Sequence, residues 1–254
     1  MNLNKKFKED GYIFFKLNNQ TKLLITKINN LIIKYKKEKK INFNDIESRV
    51  LSKHILALQK KVNNILSTEK FFKINKDIFY GFFNENKYSV QAYFYLRLTQ
   101  PSKKNTKIKP INFHRESFYG PSFYKNMMNV WIPIKNCEKK NAMQYVKKSH
   151  LFKKNKEINF SPRNTNIIKG STENKIGHLY KDRKIDFKKK VETSRLYKKE
   201  HFILFYGDLI HGNAKNLTNK TRISLDLRFL FKKHMKYNPV QGITKKKYFK
   251  VINI

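Results

Sequence analysis

The sequence predicts a mainly β protein, a jelly roll or sandwich, with a layer of helices packed on its core. Three observations carry that expectation. Helical spacing of apolar residues is confined to the N-terminal part, strand-like aromatic and alternating runs begin near residue 89, and 254 residues suffice for one sizeable core.

Taken in order, Phe7–Phe15 (FKEDGYIFF) reads as a helix end, a turn at Gly11 and a short strand. From residue 20 to 40, Leu23, Leu24, Ile28, Leu31, Ile32 and Tyr35 recur at helical spacing above a Lys-rich outer face. Residues 45–65 repeat the pattern with Ile46, Val50, Leu51, Ile55, Leu58, Val62 and Ile65, and Asn44 or Asp45 is available as a cap. Ser89–Leu98 is aromatic and strand-like, as are Asn129–Ile134 and His201–Tyr206. Thr221–Phe229 alternates strictly, the pattern of a half-buried strand. Between 151 and 200 lies a basic, weakly periodic stretch, expected to be a lid over a site or an insertion. No repeat or linker interrupts the chain. The expectation is therefore one domain over 1–254, with a helical part at about 1–76 and a β core at about 85–232.

Composition narrows the classes. Hydrophobic residues at 39% and aromatics at 14% argue against disorder despite a net charge of +39. The apolar runs fall short of the roughly 20 residues a bilayer span needs. Glu9 and Asp10 arrive before any apolar stretch, so no signal peptide is expected. A single cysteine, Cys137, excludes an internal disulfide, and a cytoplasmic protein is the expectation. The positive charge invites a nucleic-acid reading, but it comes from 49 Lys against 8 Arg, spread along the whole chain. Base edges and phosphate forks favour the planar guanidinium. Lys, Asn and Ile, all with A/T-rich codons, fill 104 of the 254 positions. A solvated surface is the preferred reading, without specific nucleic-acid binding, and the sequence assigns no oligomeric state.

Two of the seven histidines stand out. In His114-Arg115-Glu116 an extended backbone puts the imidazole and the carboxylate on one face, where both can grip one metal ion. His211 follows Gly207-Asp208-Leu209-Ile210 and precedes Gly212, at the end of the second strand pair. Two His and one carboxylate are the ligand set of the non-haem Fe(II) facial triad, which leaves positions open for a co-substrate and oxygen. An HxE on its own is common by chance. Arg222, eleven residues after His211, and Ser224, on the same strand face, add a clamp suited to a carboxylate.

On these residues the chain resembles the phytanoyl-CoA dioxygenase-like branch of the Fe(II)/2-oxoglutarate-dependent oxygenases. Within it the likeness is greatest to hydroxylases of aminoglycoside and sugar biosynthesis, such as the streptomycin-cluster subgroup. The stretches that carry it are Phe7–Phe15, His114–Gly120 (HRESFYG), Asn129–Ile134 (NVWIPI), Ser149-His150 and Gly207–Phe229 (GDLIHGNAKNLTNKTRISLDLRF). The resemblance implies a double-stranded β-helix with iron at one mouth of the barrel and the N-terminal helices on the major sheet. It implies His114, Glu116 and His211 as iron ligands, Arg222 as the partner of the far carboxylate of 2-oxoglutarate, with Ser224 in support, and Asn129 near the co-substrate. Trp131 is expected in the barrel wall, Ser149-His150 in a structural role, and Tyr119 beside the site. The implied chemistry is hydroxylation, or another oxidation, of a small molecule such as a sugar, cyclitol or related biosynthetic intermediate, with O2 as oxidant. Arg163, His178, Tyr180, Arg183 and Arg195 give the 151–200 stretch a basic surface that could meet an anionic substrate. Glu116 departs from the family's usual Asp by one methylene. A retained carboxylate still argues against the halogenase variants, which lack one. The competing expectation is a metal- or polyanion-binding jelly roll without oxygenase activity, for which Arg222 and Ser224 at the same pocket would be unneeded.

Overall fold

The computed structural model describes residues 3–44, 53–102, 113–116, 126–152, 158–162, 183–187, 192–213, 215–235 and 248–254. Helix α1 (Leu3–Asp10) ends at Gly11, whose φ of +83° turns the chain into strand β1 (Tyr12–Lys16). A Cβ at Gly11 would lie 2.4 Å from Nδ1 of His150, so both the turn and the packed ring require glycine here. Helix α2 (Asn19–Glu38) starts at Asn18, whose side chain accepts from the Thr21 N–H and donates to Ile74 O and Asn75 Oδ1. One asparagine thus caps α2 and ties it to the end of α4. The buried stripe of α2 is Leu24, Ile25, Ile28, Ile32 and Tyr35; Leu23, expected in that stripe, is exposed.

Helix α3 (Lys53–Ile65) buries Ile55, Leu58 and Val62. The expected earlier turns of this helix, with Ile46, Val50, Leu51 and the Asp45 cap, lie outside the described residues. Two short helices follow that the sequence reading did not anticipate, α4 (Thr68–Ile74) and α5 (Lys76–Phe83). They are dense in phenylalanine. Phe72 and Phe79 stack at 4.2 Å, and Phe71 meets Phe94 and Phe202 edge-on, filling the space between helices and sheet.

The strands are β2 (Lys87–Gln91), β3 (Tyr95–Thr99), β4 (Met128–Lys135), β5 (Met143–Val146), β6 (Ile158–Pro162), β7 (Arg183–Phe187), β8 (Thr193–Leu196), β9 (His201–Tyr206), β10 (His211–Asn213), β11 (Arg222–Phe231) and β12 (Phe249–Asn253). Among the described residues they form antiparallel sheets. A seven-stranded sheet runs β1-β9-β4-β11-β2-β12 with β3 also on β11, a second runs β10-β5-β8, and β6 pairs with β7. The expected single strand Ser89–Leu98 is in fact two. One edge of β11 is divided between them, β3 taking Arg222–Asp226 and β2 taking Phe229–Phe231. Asn63 of α3 seals the break, accepting from Phe94 N–H at 2.8 Å and donating to Phe94 O at 3.0 Å, while Gln59 accepts from Leu96 N–H. Strand β12, also unanticipated, pairs with β2. The basic 151–200 stretch contributes β8, which pairs with β5, besides the β6–β7 ladder.

Strand β11 alternates as expected, but it is buried on both faces rather than half-buried. Ile223, Leu225, Leu227 and Phe229 join the core beneath the helices. Arg222, Ser224, Asp226 and Arg228 occupy the opposite face, by the two-residue period of a strand. That polar face is turned to a cavity between the two larger sheets, which Arg222, Asp226 and Arg228 line.

Candidate active site

His114 and His211 face each other across an isolated antiparallel bridge. The N–H of each donates to the carbonyl of the other, at 2.9 and 3.0 Å, and the rings lie 4.4 Å apart. Glu116 is fixed one step further on by its own N–H, which donates to Gly207 O at 2.8 Å. Gly207 in turn donates to Met127 O at 2.7 Å; a Cβ there would meet that carbonyl at 2.8 Å, so the approach needs glycine.

Arg115, between the two ligand-type residues, turns away and donates from Nη2 to Ser149 O at 2.7 Å. The Ser149 hydroxyl accepts from the Ile210 N–H at 2.7 Å, next to His211. One serine therefore fastens the neighbours of both histidines. His150 beside it donates from Nε2 to Lys8 O at 2.8 Å and stacks on Tyr206 at 5.4 Å, over Gly11.

Among the described residues, His114, Glu116 and His211 form the one group of three that could hold a metal ion, their ligand atoms all within 4.8 Å of one another and all three side chains buried. Glu116 Oε1 lies 3.7 Å from His211 Nε2. His211 Nδ1 is 2.8 Å from the Leu209 carbonyl, which can only accept, so Nδ1 carries the proton and Nε2 keeps its lone pair. Burial pushes the His211 pKa down, partly opposed by Glu116, and the ring stays neutral. Burial alone would push the Glu116 carboxyl up, but Arg228 and the two histidines bring it down to about 2. A free Nε2 lone pair on His211 and an ionised carboxylate on Glu116 are the states in which such side chains bind a divalent metal, and with His114 beside them the donor set fits one.

Arg222 lies fully buried at the other side of the cavity. It donates from Nη1 to Asn141 O at 2.6 Å and from Nη2 to Thr99 Oγ1 at 2.7 Å, with its guanidinium 5.5 Å from the Trp131 ring. Ser224 Oγ and both amide atoms of Asn129 are buried without a hydrogen-bond partner, and Asn129 lines the cavity. All six residues singled out from sequence thus lie on the strands and loops around one cavity, Ser224 by its strand parity with Arg222. Trp131 lines the cavity wall beneath the Arg222 guanidinium. Arg195 donates to Lys140 O at 2.6 Å. Tyr119, Arg163, His178 and Tyr180 lie outside the described residues.

Sequence reasoning missed two ion pairs in this cavity. Arg97 Nε donates to Asp226 Oδ2 at 2.8 Å, and Arg228 donates from Nε to Glu116 Oε2 at 2.7 Å and from Nη2 to Oε1 at 3.0 Å. A signal was present: the parity that puts Ser224 on the face of Arg222 also puts Asp226 and Arg228 there.

The sequence profile of phytanoyl-CoA dioxygenase (PhyH) matches residues 28–224, most of the chain. The protein belongs to the PhyH family. Solved structures share the fold of this PhyH-family chain at low identity. The epimerase SnoN, in complex with Fe3+, alpha-ketoglutarate and nogalamycin RO, is 12% identical with a TM-score of 0.55, over 90% of this chain and 82% of that one. AviO1 from Streptomyces viridochromogenes Tue57 is 13% identical with a TM-score of 0.54, over 90% and 93% of the two chains. EvdO2 from Micromonospora carbonacea var. aurantiaca, complexed with 2-oxoglutarate, is 13% identical with a TM-score of 0.52, over 90% and 89%. No curated protein matches the sequence. The PhyH match ends at Ser224, so Arg228 and β12 lie beyond it. Among the described residues, no helix is long and apolar enough to cross a membrane.

Proposed function

We propose that this PhyH-family protein is an Fe(II)- and 2-oxoglutarate-dependent dioxygenase that hydroxylates a small molecule. The observation that carries the reading is the buried group His114, Glu116 and His211, with ligand atoms within 4.8 Å, on a cavity that Arg222 also lines. His114, Glu116 and His211 hold the iron. Arg222 takes the distal carboxylate of 2-oxoglutarate, its plane already set by Asn141 O, Thr99 Oγ1 and Trp131. Ser224 and Asn129 bring buried polar atoms without protein partners, suited to the same co-substrate. When bound, iron would activate O2, with 2-oxoglutarate giving up two electrons as it is split to succinate and carbon dioxide, so that one oxygen atom ends in succinate and the other in the hydroxylated substrate.

The protein's part is to hold the ligands, neutralise the co-substrate's charge and exclude water with Trp131, Met143 and Phe205. The polar cavity wall, with Asp226 and Asn129, suits a hydroxylated substrate such as a sugar, a cyclitol or a related biosynthetic intermediate. SnoN, solved with nogalamycin RO, supports a small molecule as the substrate. Two antiparallel sheets facing across the cavity support the double-stranded β-helix as the scaffold.

Anaerobic titration with Fe(II) and 2-oxoglutarate tests this through the visible charge-transfer absorption of the chelate. The band is expected in the wild type, absent in His114→Ala, and in Arg222→Ala it should need far more 2-oxoglutarate. A folded wild type without the band overturns the proposal in favour of a metal- or polyanion-binding barrel.

A further inference from the structure

Glu116 stands where the family resemblance expects an aspartate, and a longer carboxylate has one more rotatable bond to fix. In this chain that bond is fixed from outside the PhyH-matched region. Arg228 donates two parallel hydrogen bonds to Glu116, at 2.7 and 3.0 Å, the fork geometry that only a guanidinium supplies. Both side chains are well buried, at 4% exposure for Glu116 and 16% for Arg228. Arg228 is itself braced. Its N–H donates to Gln91 Oε1 at 2.8 Å, and its Nη1 to the Tyr248 hydroxyl at 3.3 Å. Gln91 Nε2 donates to the same hydroxyl, closing a ring of three residues around the guanidinium. Gln91 ends β2, and Tyr248 immediately precedes β12, so two paired strands supply the brace.

We propose that Arg228 is the positioning residue for Glu116, and that it, Gln91 and Tyr248 form a clamp which turns Oε1 of this longer carboxylate toward His211. The inference rests on the metal-site reading above. A carboxylate offers about four lone-pair sites, and Arg228 uses two, so the clamp can stay closed while a metal takes a third. Arg228, four residues beyond the matched region, is then part of the site, and β12 is a working element of it. The clamp offsets the methylene that separates Glu116 from aspartate.

Affinity for Co(II), which needs no oxygen and reports its coordination in the visible ligand-field spectrum, is the test. It is measured for the wild type, Arg228→Lys, Tyr248→Phe and Glu116→Asp, and for Arg228→Lys combined with Glu116→Asp. Arg228→Lys keeps the charge but loses the fork, and is expected to bind Co(II) about 10–100-fold more weakly, with a changed band shape. Tyr248→Phe removes one hydroxyl and is expected to weaken binding severalfold in the same direction. In the Glu116→Asp background the cost of Arg228→Lys should shrink, because the shorter side chain needs less fixing. Unchanged Co(II) affinity in a folded Arg228→Lys protein overturns the clamp. If that variant fails to fold, unchanged affinity in Tyr248→Phe overturns it instead. A wild type that binds no metal would sink the metal-site reading itself, a different failure from a wild type that binds and variants that bind equally.

Discussion

Ser149 acts on both histidines without touching either. Its hydroxyl holds the Ile210 N–H and its carbonyl holds Arg115, so alanine there removes one buried acceptor and keeps the other. Ser149→Ala is expected to cost about 1–3 kcal/mol, the penalty of an unsatisfied buried N–H, read by urea unfolding. It should also weaken Co(II) binding through His211, while Ser149→Thr keeps most of both. At this scale the sequence was legible where spacing alone carries meaning. The two-residue steps from His114 to Glu116 and from Arg222 to Ser224 put side chains on common faces before any fold is known. The same parity reaches Arg228, but its partner Glu116 lies 112 residues away, and no local pattern connects the two. Ion pairs across a cavity between sheets are decided by which strands meet.

The long periodic helix α2 was readable, and the short helices α4 and α5 were not. Helix α2 spans 20 residues, enough turns to declare its buried face, whereas α4 has 7 and α5 has 8. Strand β11 was legible by its alternation, yet alternation cannot tell an outward polar face from one lining a cavity. The break between β2 and β3 has no glycine or proline to announce it. It exists because β11 offers one edge to two strands, and because Asn63 supplies the hydrogen bonds that the ladder gives up at Phe94. Asn63→Leu keeps the helix and the bulk, and leaves the Phe94 N–H and C=O buried without that partner. A loss of about 2–4 kcal/mol is expected, measured by chemical denaturation, with far-UV helical signal retained. A cost below about 0.5 kcal/mol would show that water replaces the side chain.

For the molecule as a whole, the net charge of +39 sits mainly on lysines, and the exposed ion pairs Lys22–Glu200 and Lys73–Glu69 add little net stability. The pH dependence should instead come from the buried groups. Burial lowers the pKa of His211 and His150 below the ordinary 6.5 in the fold. As the pH falls through 6.5 the unfolded chain takes up protons that the fold refuses, and metal-free stability drops. Glu116 is held at about 2 against an ordinary 4.5. Its stabilisation is complete above 4.5 and is lost between there and about 2. Unfolding free energies across this range should therefore decline in two stages, and Glu116→Gln should flatten the lower one. A single decline, unaltered by that substitution, would contradict the buried carboxylate. The mainly β class and the grouping of His114, Glu116 and His211 were visible in sequence because a helix-then-strand order and a few spaced residues suffice for them. The charge balance inside the cavity was not, since it is a property of packing.

Gly11 and His150 compete for one small volume, and this makes the order of genetic change matter. A Cβ at position 11 collides with the ring at 150, so a side chain can enter the first position only after the second has become smaller. A smaller residue at 150 removes the collision, while the φ of +83° at Gly11 still strains any side chain placed there. A double-mutant cycle on Gly11→Ala and His150→Ala would measure this sign-biased epistasis. Glycine at the N-terminal turn is therefore held twice, by its own backbone and by the ring packed over it from the short helical turn Ser149–Leu151.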